Sequence, residues 1–226
     1  MDLKNILIDS EEYANYIKNK IHIGGEIRFL KSIAKSGMRV IEAGGYYGLA
    51  SLNLSRLIGE TGKIYVFEPI EEHYETIKQN LLVNKINNAE VVPFALGKNK
   101  GDDIELYIDG DATSIAQKGS VKPVKVPVTT LDLYFKENPV DKIDLFNIDA
   151  EGSELMILKG ARDILTNNNV KVFCEIHHQF LSQLDQNVHD IVNYLTRLKY
   201  RVYSVCLEDS SLSDNFDKCE YLYAFK

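Results

Sequence analysis

Short apolar runs alternate with helix-period stripes along the chain, the arrangement expected of strand–helix–strand units on a parallel sheet. Residues 38–43 (Met-Arg-Val-Ile-Glu-Ala) read as a first buried strand, closed by Gly44 and Gly45. Residues 49–58 carry Leu49, Leu52, Leu54, Leu57 and Ile58 at helical spacing, ended by Gly59 and Gly62. Residues 63–67 are a second strand, stopped by Glu68-Pro69. Residues 71–84 predict a helix with Tyr74, Ile77, Leu81 and Leu82 on one face. Residues 90–96 predict a third strand, and its internal Pro93 places it at a sheet edge.

The pattern then changes. Residues 103–108 and 121–128 alternate apolar and polar, which predicts a β insertion near 100–128. Thr130 with Asp132 opens a short helix to 136, and residues 143–148 are a fourth core strand. Ser153 is expected to cap a helix running to 165. A fifth strand (170–176), a helix (188–198) and two last strands (201–207 and 219–225) follow. Two helical patterns, around 11–19 and 26–34, precede the first strand and are expected to pack near its C-terminal end. No repeat or linker divides the chain, so 1–226 reads as one α/β domain: a helical extension (1–37) and a core (38–226).

Charge and cysteine usage narrow the function classes. Lys and Arg number 26 against 33 Asp and Glu, a net charge of −7. An acidic chain argues against a nucleic-acid partner, which needs a basic face. No apolar run is long enough to span a bilayer, and residues 1–10 lack the apolar stretch of a secretory signal. Cys174, Cys206 and Cys219 fit neither a disulfide framework nor a zinc spacing, and read as buried strand thiols of a cytoplasmic protein.

Four stretches can carry chemistry. Gly44, Gly45 and Gly48 flank Tyr46 and Tyr47 between the first strand and the first core helix, where an open sheet binds ligands. The spacing is neither a phosphate loop nor G-x-G-x-x-G, and a tight turn without a ligand is the plain alternative. Glu68, twenty residues beyond Gly48, can accept hydrogen bonds from a ribose diol. Together they point to an adenosine-type cofactor across the first two strands. After the fourth strand, Asp149 and Glu151 offer a base, a cofactor clamp or substrate contacts; the plain alternative, acids at a helix N-terminus, accounts for Ser153 and Glu154 but gives Asp149 no role. After the fifth, Glu175 precedes His177 and His178. His177 is a candidate proton acceptor, and with Glu175 and Asp149 it offers a set for a divalent ion. No metal is predicted as required.

These stretches together resemble the FkbM-type branch of class I S-adenosylmethionine-dependent methyltransferases. The resemblance rests on Val40 to Gly48, Val66-Phe67-Glu68-Pro69, Asn80 with Asn84, Thr130-Leu131-Asp132, Ile148 to Glu154, Leu158-Lys159-Gly160-Ala161 and Glu175-Ile176-His177. It implies a Rossmann-like, seven-stranded, mostly parallel sheet with helices on both faces and its last strand antiparallel, inserted beside the fifth. The implied cofactor is S-adenosyl-L-methionine, contacted by Glu42, Gly44, Gly45, Tyr46, Tyr47, Gly48, Glu68, Pro69, Ala95, Leu96 and Asp149. The implied reaction is methyl transfer to a hydroxyl of a sugar or other natural product, with Asp149, His177 and Glu151 as candidate catalytic groups. The partner is therefore a small-molecule or glycan acceptor, with no nucleic acid and no membrane. Four positions depart from the family: Glu42 replaces its usual Asp, Tyr46 and Tyr47 its polar turn residues, and Asn147 a frequent Lys. Two other readings of the residues remain: a nicotinamide-dependent oxidoreductase, which lacks its usual motifs here, and a cofactor-binding protein without catalysis.

Overall fold

The computed structural model describes residues 1–101, 103–109, 112–115 and 122–226. After a single 3-10 turn at Leu3–Asn5 come α1 (Glu11–Asn19), α2 (Ile21–Ile33), β1 (Arg39–Ala43), α3 (Leu49–Ile58), β2 (Lys63–Phe67), α4 (Glu71–Val83), β3 (Ala89–Val92) and β4 (Ala95–Leu96). The insertion holds β5 (Ile104–Asp109), β6 (Ala112–Ser114) and β7 (Pro123–Val126). Then follow β8 (Val128–Thr129), α5 (Leu131–Glu137), β9 (Leu145–Ile148), α6 (Glu154–Gly160), α7 (Arg162–Asn167), β10 (Lys171–Glu175), α8 (His178–Gln183), α9 (Val188–Arg197), β11 (Arg201–Val205), β12 (Leu212–Ser213) and β13 (Tyr221–Phe225).

The main sheet runs β12-β11-β13-β10-β9-β1-β2-β3. Strands β10, β9, β1, β2 and β3 pair in parallel, and β13 lies antiparallel between β10 and β11. The last strand is thus antiparallel beside the fifth core strand, as the resemblance implied. Among the described residues the sheet has eight strands rather than the expected seven, because the short β12 adds an antiparallel edge to β11.

Alternation along each strand sends neighbours to opposite faces. Ile41, Phe67, Phe146 and Val172 pack against α5, α6, α7 and α9. Val40, Ile64, Val66 and Phe173 pack against α2, α3 and α4. The central strands are covered on both sides, as a parallel sheet requires.

Several expectations need correction. The third apolar run divides at Pro93, which has no N–H to continue the ladder; β3 keeps the edge place, and β4 pairs with β8 instead. Leu82 is 70% exposed, while His73 and Asn80 of the same helix are buried. Ser153 makes no capping hydrogen bond, and the long helix expected after it is two, α6 and α7. The break lies at Gly160-Ala161, where any side chain on Gly160 would strike the Gly97 carbonyl. The second helix takes its cap from a distance: Asp132 accepts from Asp163 N and Ile164 N at 2.8 and 2.9 Å. Cys206 is exposed just past β11, unlike buried Cys174 and Cys219, and all three are free. Val121, read as a strand start, lies outside the described residues, as do 102, 110–111 and 116–120 of the insertion.

Candidate active site

The turn after β1 is the floor of the site. Gly44 and Gly48 adopt φ of +86° and +87°, the left-handed region that glycine enters without penalty. A Cβ on Gly44 would strike the carbonyl oxygen of Asp149, so the turn and the end of β9 touch through bare backbone. Tyr46 also has positive φ, and its ring stacks on Tyr47 with centroids 4.0 Å apart.

Glu68 organises that turn. Its Oε2 accepts from Gly45 N at 3.1 Å and Tyr46 N at 2.9 Å, while Oε1 accepts from Ile70 N at 2.9 Å. The residue is only 4% exposed, with His73 Nδ1 3.5 Å from Oε1. A carboxylate has about four acceptor positions, so three are occupied by the chain itself. Asn80 braces the turn from behind, donating to Tyr47 O at 2.8 Å and to Leu3 O at 3.0 Å.

Two cavities open on the turn. The first, about 230 Å³, is walled by Phe67, Pro69, Ala95, Leu96 and, from the insertion, Leu106. Glu68 and Glu151 also line it. The second, about 310 Å³, lies under α2 and contains Glu26, Glu42, Gly45, Tyr47 and Asn147. Gly44, Tyr46 and Asp149 line both cavities. Every residue expected to contact the cofactor lines one or both, apart from Gly48, which closes the turn at the head of α3.

The second cavity is acidic on balance, with Glu26, Glu42 and Asp149 lining it against Lys20. Glu42 is 1% exposed and accepts from Ser51 Oγ at 2.5 Å. Burial pushes its carboxyl up to about 8; the Ser51 hydrogen bond resists, and the charges of Asp149 and Glu68 reinforce the rise. Burial, with Asp149, Glu175 and Glu42 adding to it, also holds Glu26 well above the usual carboxylate range.

Beyond the turn, the ends of β9 and β10 bring Asp149, Glu175 and His177 together. His177 Nδ1 lies 2.8 Å from Glu154 Oε1, and its Nε2 is 3.6 Å from Asp149 Oδ1 and 3.8 Å from Glu175 Oε1. Burial alone would lower the His177 pKa. The Glu154 hydrogen bond and the charges of Asp149, Glu154 and Glu175 outweigh it and raise the pKa to about 9. Asp149 keeps 45% of its side-chain surface, open to the cavities it lines. Protein surrounds those cavities, so desolvation still raises its pKa, against the pull of His177. Glu175 rises to about 7, first through burial and then through Asp149, with His177 opposing.

Glu151 stands on the wall of the first cavity, its carbonyl accepting from Ser114 Oγ of the insertion at 2.9 Å. His178 turns elsewhere, its Nε2 2.7 Å from Cys219 O. Nothing in the sequence marks Glu26 for the site, and Glu154 stands there only as an acid at a helix start. Glu26 has no local signal, because only the packing of α2 on the sheet, with Phe29 against Phe173 and Tyr223, brings it into one cavity with Glu42. Glu154 carried the expected signal of an acid in a first turn, yet its carboxylate points inward to His177.

Comparison with known proteins gives the family and the fold. The model of the methyltransferase FkbM domain matches residues 42–202. No curated protein sequence matches the chain. Among solved structures, methyltransferase FkbM from Methylobacillus flagellatus KT superposes with a TM-score of 0.55 at 17% identity, covering 93% of this chain and 53% of that one. The chain therefore spans about half the length of that relative. A Clostridium thermocellum protein assigned as an rRNA-methylase gives 0.53 at 11% identity, covering 89% and 92% of the two chains. A Streptococcus mutans protein assigned as a methyltransferase, in complex with SAH, gives 0.52 at 12%, covering 89% and 95%. At these identities the superpositions speak for the fold, and the family follows from the domain match: the chain belongs to the FkbM methyltransferase family.

Proposed function

We propose that the chain is an S-adenosylmethionine-dependent methyltransferase that methylates a hydroxyl oxygen of a sugar or small natural product. One observation carries the reading: a cavity walled by Phe67, Pro69, Ala95 and Leu96 and a cavity holding Glu26 and Glu42 meet at Gly44, Tyr46 and Asp149, beside a cluster of titratable side chains. The pair suits a ligand with an aromatic base at one end and an ammonium group at the other. Phe67, Pro69, Ala95 and Leu96 would wall the adenine, with Glu68 at the ribose. Glu42 and Glu26 would face the amino-acid end. The Streptococcus mutans protein with SAH supports the same cofactor class.

The bound cofactor supplies a methyl group already activated on a sulfonium. The chain has to hold the acceptor oxygen in line with that methyl and exclude water. Asp149, at the junction, and Glu175, beside it, offer carboxylate oxygens for the acceptor's proton. His177 faces those two carboxylates at 3.6 and 3.8 Å, and its own proton makes it the weaker acceptor at neutral pH. Glu151 is a third acceptor candidate from the cavity wall. We read 1–226 as one working unit, in which α2 roofs the amino-acid cavity and the insertion walls the adenosine cavity. A cytoplasmic setting accords with three free cysteines, and among the described residues no helix is long and apolar enough to cross a membrane.

The test is incubation with methyl-labelled cofactor and a panel of sugars and hydroxylated small molecules. The expected product carries the label on oxygen, and Asp149→Asn slows its formation by about 10²–10⁴-fold, the range of a general base. Label found only on nitrogen or carbon contradicts oxygen transfer.

A further inference from the structure

One ligand atom from each of Asp149, Glu175 and His177 lies within 4.8 Å of the other two. The Nε2 separations of 3.6 and 3.8 Å are too long for hydrogen bonds. They are close to the spacing of two ligands on one ion, roughly 3 Å when each sits about 2.0–2.2 Å from the metal. A carboxylate movement of under about 1 Å would close the difference for each Nε2 pair, and the two carboxylate oxygens lie within 4.8 Å of each other.

A second observation concerns the other ring nitrogen. His177 Nδ1 meets Glu154, a carboxylate with no exposed surface, whose same oxygen accepts from Gly152 N at 3.1 Å. The other oxygen, Oε2, is buried and has no hydrogen-bond partner among the described residues. Metal-binding histidines characteristically donate their second nitrogen to such a carboxylate, which fixes the tautomer and makes the imidazole a stronger ligand. Here it leaves Nε2 toward Asp149 and Glu175.

We propose that Asp149, Glu175 and His177 bind one divalent first-row transition cation, with Glu154 as the outer carboxylate that orients His177. One imidazole with two carboxylates favours Mn²⁺, Fe²⁺ or Zn²⁺ over Mg²⁺ and Ca²⁺, which prefer all-oxygen sets. The cation takes the place of the proton on Nε2. Each carboxylate contributes one oxygen, so the other remains for an acceptor's proton. The site stands on these side chains and does not depend on the methyl-transfer reading.

The experiment is titration of the chelator-stripped full chain with manganese chloride, following free Mn²⁺ by electron paramagnetic resonance. The expected result is one saturable Mn²⁺ per chain. His177→Ala and Glu175→Gln each weaken it at least about tenfold, Glu154→Gln weakens it about 10–100-fold without removing a ligand, and Glu60→Gln on the surface leaves it unchanged. Nitrogen coupling from a directly bound imidazole should appear in the pulsed spectrum of the unmutated chain, a readout that survives if a variant fails to fold. Absence of saturable binding up to about 1 mM, undiminished affinity in folded His177→Ala, or absence of that nitrogen coupling overturns the proposal.

Discussion

His177 and Glu154 are joined across 23 residues of sequence by a contact of 2.8 Å, and Glu154 has no exposed surface. The contact ties the loop after β10 to the first turn of α6. It therefore fixes the side of the site where Asp149 and Glu175 converge.

Removing one member of a buried pair leaves the other without compensation, which typically costs about 3–5 kcal/mol. His177→Ala should destabilise the chain by that order. His177→Ala combined with Glu154→Gln should recover part of the loss, because the stranded carboxylate is gone. Urea denaturation of the two singles and the double checks this. Strictly additive losses would show that the two side chains do not support each other.

Glu42 should make stability depend on pH. Around it lie Ser51 of α3, Glu68 after β2, Asp149 after β9 and Glu26 of α2, and no cation is among the causes of its shift. Its folded pKa of about 8 stands above the ordinary 4.5. Between those values the folded chain keeps a proton that the unfolded chain releases, so this contribution is full below about 4.5 and is lost as pH rises through 8. Glu42→Gln should gain melting temperature on the parent chain steadily across that window. Parallel pH profiles would contradict the assignment.

Glu68→Ala should do two things at once. It leaves three backbone N–H groups of Gly45, Tyr46 and Ile70 without their acceptor, at roughly 1–3 kcal/mol for each that stays buried. The melting temperature should fall, and cofactor affinity should fall with it because the turn loosens. Lost affinity at unchanged stability would mean that Glu68 serves the ligand alone; lost stability at unchanged affinity would mean that it serves only the turn.

The sheet was largely legible in the sequence because its strands are short apolar runs bounded by glycine or proline. Residues 63–67, between Gly62 and Glu68-Pro69, form β2 at those bounds. Helix faces were less legible: Leu82 follows Leu81 in the apolar pattern but points about 100° away from it around the helix, and it is exposed while Ile77 and Leu81 are buried. The glycine turn, Glu68 and Asp149 were visible as candidates because they follow strands at the ligand-binding end of such a sheet. Glu26 was not, since a charged residue in an amphipathic helix looks solvated until the helix is placed on the sheet. The two-residue β12 has too few positions to show alternation at all.

Calorimetric titration of the full chain with S-adenosylhomocysteine, beside a parallel titration with NAD, bears most directly on the cofactor reading. One molecule of S-adenosylhomocysteine should bind per chain and NAD should not. Gly44→Val should abolish the binding, because its side chain would be driven into the Asp149 carbonyl at the junction of the two cavities. Binding of NAD without S-adenosylhomocysteine, or unchanged binding in a folded Gly44→Val chain, would contradict the account.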